Sequence, residues 1–182
     1  IVCIRGDIGV GKSRLVEELK GQLPSLVWAE TRSFPYSEGV SYQTLRRMLQ
    51  SLLVEQDHSG IDESKSGSGD PALEGLPFSV LQPHLSMILN PSEALQPSSS
   101  TDVSNTDNAL PHVVQELQSF LRYKAAHHPL VLLWDDLQWI DPSSLRVLEG
   151  LFSMVEDVPI LFLLLLRREG ERMSLFHKRI TE

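Results

Sequence analysis

The 182-residue chain has a single cysteine, Cys3, so no internal disulfide can form. Its place inside the apolar run Ile1 to Ile4 reads as a buried thiol on a core strand. Basic charge is also scarce. Sixteen Lys and Arg stand against 24 Asp and Glu, giving a net charge of −8. No basic run stands out, which argues against direct nucleic-acid binding. The longest apolar run, Ile160 to Leu166, is too short to cross a bilayer and stops at Arg167-Arg168. Without a span or a signal peptide no membrane partner is expected, and the lone unpaired thiol fits an intracellular, cytoplasmic chain. Neither an N-K-x-D guanine signature nor a metal-type Cys/His spacing is found, and His127-His128 reads as a helix-end cap.

What is present begins at residue 6. The run Gly6-Asp7-Ile8-Gly9-Val10-Gly11-Lys12-Ser13 follows an apolar strand and matches G-x-x-x-x-G-K-[ST]. Glycines let the backbone wrap until successive N–H groups point inward as an anion nest. A helix opening near Lys12 adds the positive end of its dipole. Lys12 brings a mobile charge for β- and γ-phosphates, and Ser13 a hydroxyl for Mg²⁺. The expected cradle runs from Gly6 through Arg14. Gly6, Gly9 and Gly11 would also fit a dinucleotide-binding turn with Glu30 as the ribose acid, but that reading leaves Lys12-Ser13 unexplained.

Apolar and charged fractions of 41% and 22% are ordinary for a globular domain. We expect one domain over 1–182, cut from something longer, with a variable Ser-rich insertion at 56–108. Strands are expected at Ile1 to Arg5 (buried), Leu26 to Thr31, Leu130 to Trp134 (central, apolar on both faces) and Pro159 to Leu166. Helices are expected at Lys12 to Leu23, with Leu15, Val16 and Leu19 on one face, at Ser41 to Val54, and from Pro111 to about His127. Short helices are expected around Leu81, Leu85, Ile88 and Leu89. Asp141 fits the N-cap of another helix and Pro142 its first position. Strands alternating with helices predict an α/β fold: a parallel sheet flanked by helices.

Phosphate chemistry with Mg²⁺ needs an acid at the carboxyl edge of that sheet. Leu130 to Asp136 supplies two. Asp135 is the expected metal residue, and Asp136 is placed to orient or partly deprotonate a water. Arg167, at the end of the fourth strand, could sense a terminal phosphate; strand alternation turns only one of Arg167 and Arg168 inward. Trp28 and Trp134 read as core residues.

The stretches GDIGVGKSRLVEEL, VSYQTLRRML, HPLVLLWDDLQWIDPSSLRVLEGL and PILFLLLLRREGE resemble the AAA-type P-loop ATPase module of STAND signal-transduction proteins. The stretch from Asp135 to Asp141 is the most specific element. The resemblance implies a three-layer P-loop fold with strand order 5-1-4-3-2, of which strands 1 to 4 are here. It also implies ATP and Mg²⁺ as ligands, held by Gly6, Gly9, Gly11, Lys12, Ser13 and Asp135. Asp136 becomes the catalytic carboxylate and Arg167 the sensor. Linked effector or sensor domains and oligomerisation on ATP binding follow from the same source. Gln138 stands where a histidine is common, a change expected to matter little. The expected function is a slowly hydrolysing Mg-ATP switch. The alternatives are a nucleotide-binding scaffold that does not hydrolyse, and a P-loop kinase or GTPase.

Overall fold

The computed structural model describes residues 1–36, 40–54, 83–90 and 106–167. Strand β1 (Val2–Arg5) leads into helix α1 (Lys12–Gln22), then β2 (Val27–Arg32) and α2 (Gln43–Val54). Helices α3 (Pro83–Leu89) and α4 (Thr106–Ala125) precede β3 (Leu130–Asp135). A 3₁₀ turn at Leu137–Trp139, helix α5 (Pro142–Leu151) and a second 3₁₀ turn at Phe152–Glu156 lead to β4 (Ile160–Leu166). All strand pairs are parallel and the order is β1-β4-β3-β2. This is the three-layer α/β fold expected, with β3 and β4 in its middle.

Side-chain alternation along the central strands divides the core. Leu130, Leu132, Trp134, Phe162, Leu164 and Leu166 face α2 to α5 in the larger cluster. Val131, Leu133, Leu163 and Leu165 face α1 with Val16 and Trp28. Each fully buried leucine or phenylalanine contributes roughly 2 kcal/mol relative to exposure. Leu85, Ile88 and Leu89 of α3 belong to the larger cluster, so the segment in which the sequence showed no chemistry still supplies core. Leu81 lies outside the described residues.

Several expectations need correction. β1 is not a buried strand: it has β4 as its one partner among the described residues, and Val2 is 44% exposed. Cys3 is accordingly only half-buried; burial raises its thiol pKa, and the charges of Arg5 and the N-terminus work against that. On α1, Val16 is buried and Leu19 partly so, but Leu15 is 57% exposed, because the stripe this helix presents to the sheet is narrow. α4 starts at Thr106, ahead of Pro111, which sits inside it. Leu110 packs against the larger core and draws the chain into helix before the proline. His127 does act at a helix end, where its Nδ1 lies 3.0 Å from the Tyr123 carbonyl.

Candidate functional site

The loop between β1 and α1 is shaped by backbone more than by side chains. Gly9 (φ 79°) and Gly11 (φ 96°) are left-handed, a conformation that costs other residues roughly 1–2 kcal/mol. Gly11 is the N-cap of α1 and no side chain bonds there, so the first-turn N–H groups are offered to an anion. Lys12 Nζ donates to the carbonyls of Gly6 (2.8 Å) and Asp7 (3.0 Å), which keeps the ammonium against the loop. Ile8 and Val10 stand out into solvent.

Across the carboxyl edge, the alternation that sends Val131 and Leu133 toward α1 sends Asp135 the same way. It lines a cavity of about 270 Å³ with Ser13, Glu17, Glu30 and Arg32. Glu30 is paired with Lys20. Two predicted metal residues, far apart in sequence, thus share one cavity wall. A hydroxyl and a carboxylate are the hard oxygen donors Mg²⁺ takes, and that ion is held through one or two carboxylates plus substrate phosphates. Ser13 and Asp135 fit it on those terms.

Asp136 points elsewhere. Asp135 Oδ1 accepts from the Asp136 N–H at 2.8 Å, and Asp136 takes a left-handed turn (φ 51°, ψ 43°). Its Oδ2 accepts from Arg32 Nε (2.9 Å) and Nη2 (2.7 Å), and its Oδ1 from Gln138 Nε2 (3.0 Å). Arg167 Nε lies 3.6 Å from the same Oδ1. Burial pushes the Asp136 carboxyl up. The Arg32 and Gln138 hydrogen bonds and the charges of Arg32 and Arg167 outweigh it, leaving the carboxyl below its ordinary range. Arg32 is raised in turn, chiefly by its hydrogen bond to Asp136.

Five residues on, Asp141 is fully buried. It caps α5 as expected, its Oδ1 accepting from Ser144 N (2.9 Å). It also caps α2: Oδ1 accepts from Tyr42 N and Oδ2 from Thr44 N, both at 3.0 Å. Ser144 Oγ accepts from Leu45 N at 2.9 Å. One carboxylate and one hydroxyl therefore bind two helix N-termini together behind the site.

A family model for the AAA ATPase domain matches residues 1–164. The chain belongs to that family. No curated protein and no solved structure matches it. The AAA ATPase domain assignment carries nucleotide use with it, and the geometry shows how this member arranges the parts. Gly6 to Arg14 form the loop and the first turn of α1, Ser13 and Asp135 meet at one cavity, and Asp136 and Arg167 meet beside it. Arg168 lies outside the described residues. Among the described residues no helix is long and apolar enough to cross a membrane.

Sequence reading missed Arg32. The only available signal was a basic residue at the end of the strand before α2; that it meets Asp136 follows from the pairing of Arg32 with Asp135 in the sheet. Gln138 was expected to matter little, yet its amide touches both Asp136 and the backbone of Arg167. The second cap made by Asp141 was also missed.

Proposed function

We propose that this AAA ATPase domain binds Mg-ATP and hydrolyses it slowly, serving as a nucleotide-dependent switch in a multidomain signalling or regulatory protein of the STAND class. The observation that supports this most is that Ser13, one residue after Lys12, and Asp135 line one cavity with Arg32, which bonds Asp136.

Bound Mg²⁺ supplies charge neutralisation on the β- and γ-phosphate oxygens. Lys12 exchanges its bonds to the Gly6 and Asp7 carbonyls for phosphate oxygens, and the α1 N–H groups take the rest of the charge. In the hydrolytic step, the water oxygen bonds to the γ-phosphorus as the bond to the ADP oxygen breaks. The water proton leaves toward the Asp136 carboxylate. Arg167, which reaches the Asp136 carboxylate, is in this reading the sensor of charge on the transferring group. A γ-phosphate that shifts these contacts biases two domain arrangements, and hydrolysis resets them. The arrangements involve linked effector or sensor domains, with oligomerisation on ATP binding as one output.

A second reading, a scaffold that holds ATP without cleaving it, draws on one observation: Asp136 is clasped by Arg32 and Gln138. Single-turnover measurement separates the two, using the full-length protein with Lys12→Ala as the binding control. Conversion of bound ATP to ADP within minutes supports the switch. Intact ATP bound for hours means the scaffold, and unchanged Mg-ATP binding by Lys12→Ala overturns both.

A further inference from the structure

Gln138 follows Asp136 by two residues, on the 3₁₀ turn that leaves β3. Its amide is used at both ends. Nε2 donates to Asp136 Oδ1 at 3.0 Å, and Oε1 accepts from the Arg167 backbone N–H at 3.2 Å. The Arg167 guanidinium reaches back to that same Oδ1. Asp136, Gln138 and Arg167 thus close a ring of contacts joining the carboxyl ends of β3 and β4. An amide suits this place because it offers a donor and an acceptor on one planar group. Leucine offers neither. Glutamate keeps the acceptor but sets a second carboxylate against Asp136.

We propose that Gln138 is a positioning residue for hydrolysis, tying the direction of the Asp136 carboxylate to the position of Arg167. The proposal rests on the ATPase reading above and gives it a mechanical part. When a terminal phosphate draws Arg167, the backbone at 167 carries Gln138, and Gln138 carries Asp136. Arg32 holds the other oxygen of the carboxylate, so Gln138 sets how Oδ1 meets water.

The test uses the full-length protein and two variants, Gln138→Leu and Gln138→Glu. Three quantities are read: Mg-ATP affinity by tryptophan fluorescence, single-turnover rate, and melting temperature. For Gln138→Leu we expect the rate to fall about tenfold, with affinity staying within about twofold. For Gln138→Glu we expect a rate loss of at least that size with affinity again kept, because the acceptor toward the Arg167 N–H remains while the donor to Asp136 is gone and a like charge faces it. A packing role alone would lower the melting temperature without separating rate from affinity.

Wild-type turnover matched by both variants overturns the proposal and leaves the ATPase reading standing. A folded wild type that binds Mg-ATP but never cleaves it overturns the ATPase reading and, with it, a hydrolytic role for Gln138. If Gln138→Leu fails to fold, Gln138→Glu alone decides: a single-turnover rate within about twofold of wild type overturns the proposal.

Discussion

The two halves of the candidate site are built by opposite means. The half from Gly6 to Ser13 is a loop held by backbone conformation, open to solvent, with Lys12 resting on its own carbonyls. The half from Asp135 to Asp141 is held by side chains that reach across the fold. Asp136 bonds Arg32 and Gln138, and Asp141 bonds three backbone N–H groups on two helices. The first half can lose its charged group without disturbing its neighbours. The second cannot at Asp141, whose carboxylate fixes the starts of α2 and α5. Binding and stability are therefore separated along the chain, and substitutions should divide accordingly.

The largest expected effect tests the fixed half at its deepest point. Asp141→Ala strips the cap from both α2 and α5 and leaves three N–H groups, two of them buried, without their acceptor. Each orphaned group costs roughly 1–3 kcal/mol, and a loss of about 4 kcal/mol in total is expected. Urea unfolding reads it as a lower midpoint at unchanged slope. A loss below about 1 kcal/mol would show that the α2 contacts contribute nothing. Ser144→Ala, which removes only the acceptor for Leu45 N, should fall between the two.

Lys12→Ala is the converse. Mg-ATP affinity should drop about 100-fold, equivalent to about 2.7 kcal/mol. The melting temperature should move by no more than a few degrees, because among the described residues Lys12 bonds only its own loop. Equilibrium titration and a thermal melt on the same preparation give both numbers. If the variant melts far lower, the loop half is not independent and the contrast breaks down.

How far each half could be read from sequence follows the same division. The loop is local: its glycines, lysine and serine are contiguous, and the backbone physics that makes them a cradle acts within a few residues. The fold was legible for a related reason, since the apolar runs of β3 and β4 mark central strands wherever they occur. Arg32 was not legible. Its bond to Asp136 spans 104 positions and exists because β2 lies beside β3 with Arg32 in register with Asp135. Asp141 was half legible: capping its own helix is a local rule, but capping α2 needs two helices to converge. Leu15 shows the limit from the other side. Its spacing fits a buried stripe, yet spacing says nothing about how broad a stripe the sheet will cover.

Arg32→Ala sharpens the comparison at a smaller scale. Its guanidinium is more than half exposed, and pairs of that kind are worth up to about 1 kcal/mol. Stability should therefore barely change, while the Asp136 carboxyl loses the donor that does most to hold it down. Carbon-13 NMR should show Asp136 titrating at higher pH than in wild type. A large loss of stability with an unmoved titration would mean that Arg32 acts through packing on Phe34, whose ring lies 6.0 Å away.

The smallest expected effect is the pH dependence that this clasp creates. The Asp136 carboxyl titrates below its ordinary value in the folded chain, so near pH 4, where an unfolded aspartate (pKa roughly 3.9) takes up its proton, the unfolded state binds more protons than the native state. The contribution is fully present above that range and is lost as the pH falls through the folded value. It is small, under about 1 kcal/mol, because solvent around Arg32 screens the pair. Wild type and Asp136→Asn should therefore converge in stability as the pH drops below about 4, with wild type ahead at neutral pH. Molar salt should narrow the gap, since screening at 1 M acts within about 3 Å. A gap that stays constant through the acid range would mean that Asp136 holds its neighbours as a hydrogen-bonding shape, with its charge playing no part in the clasp.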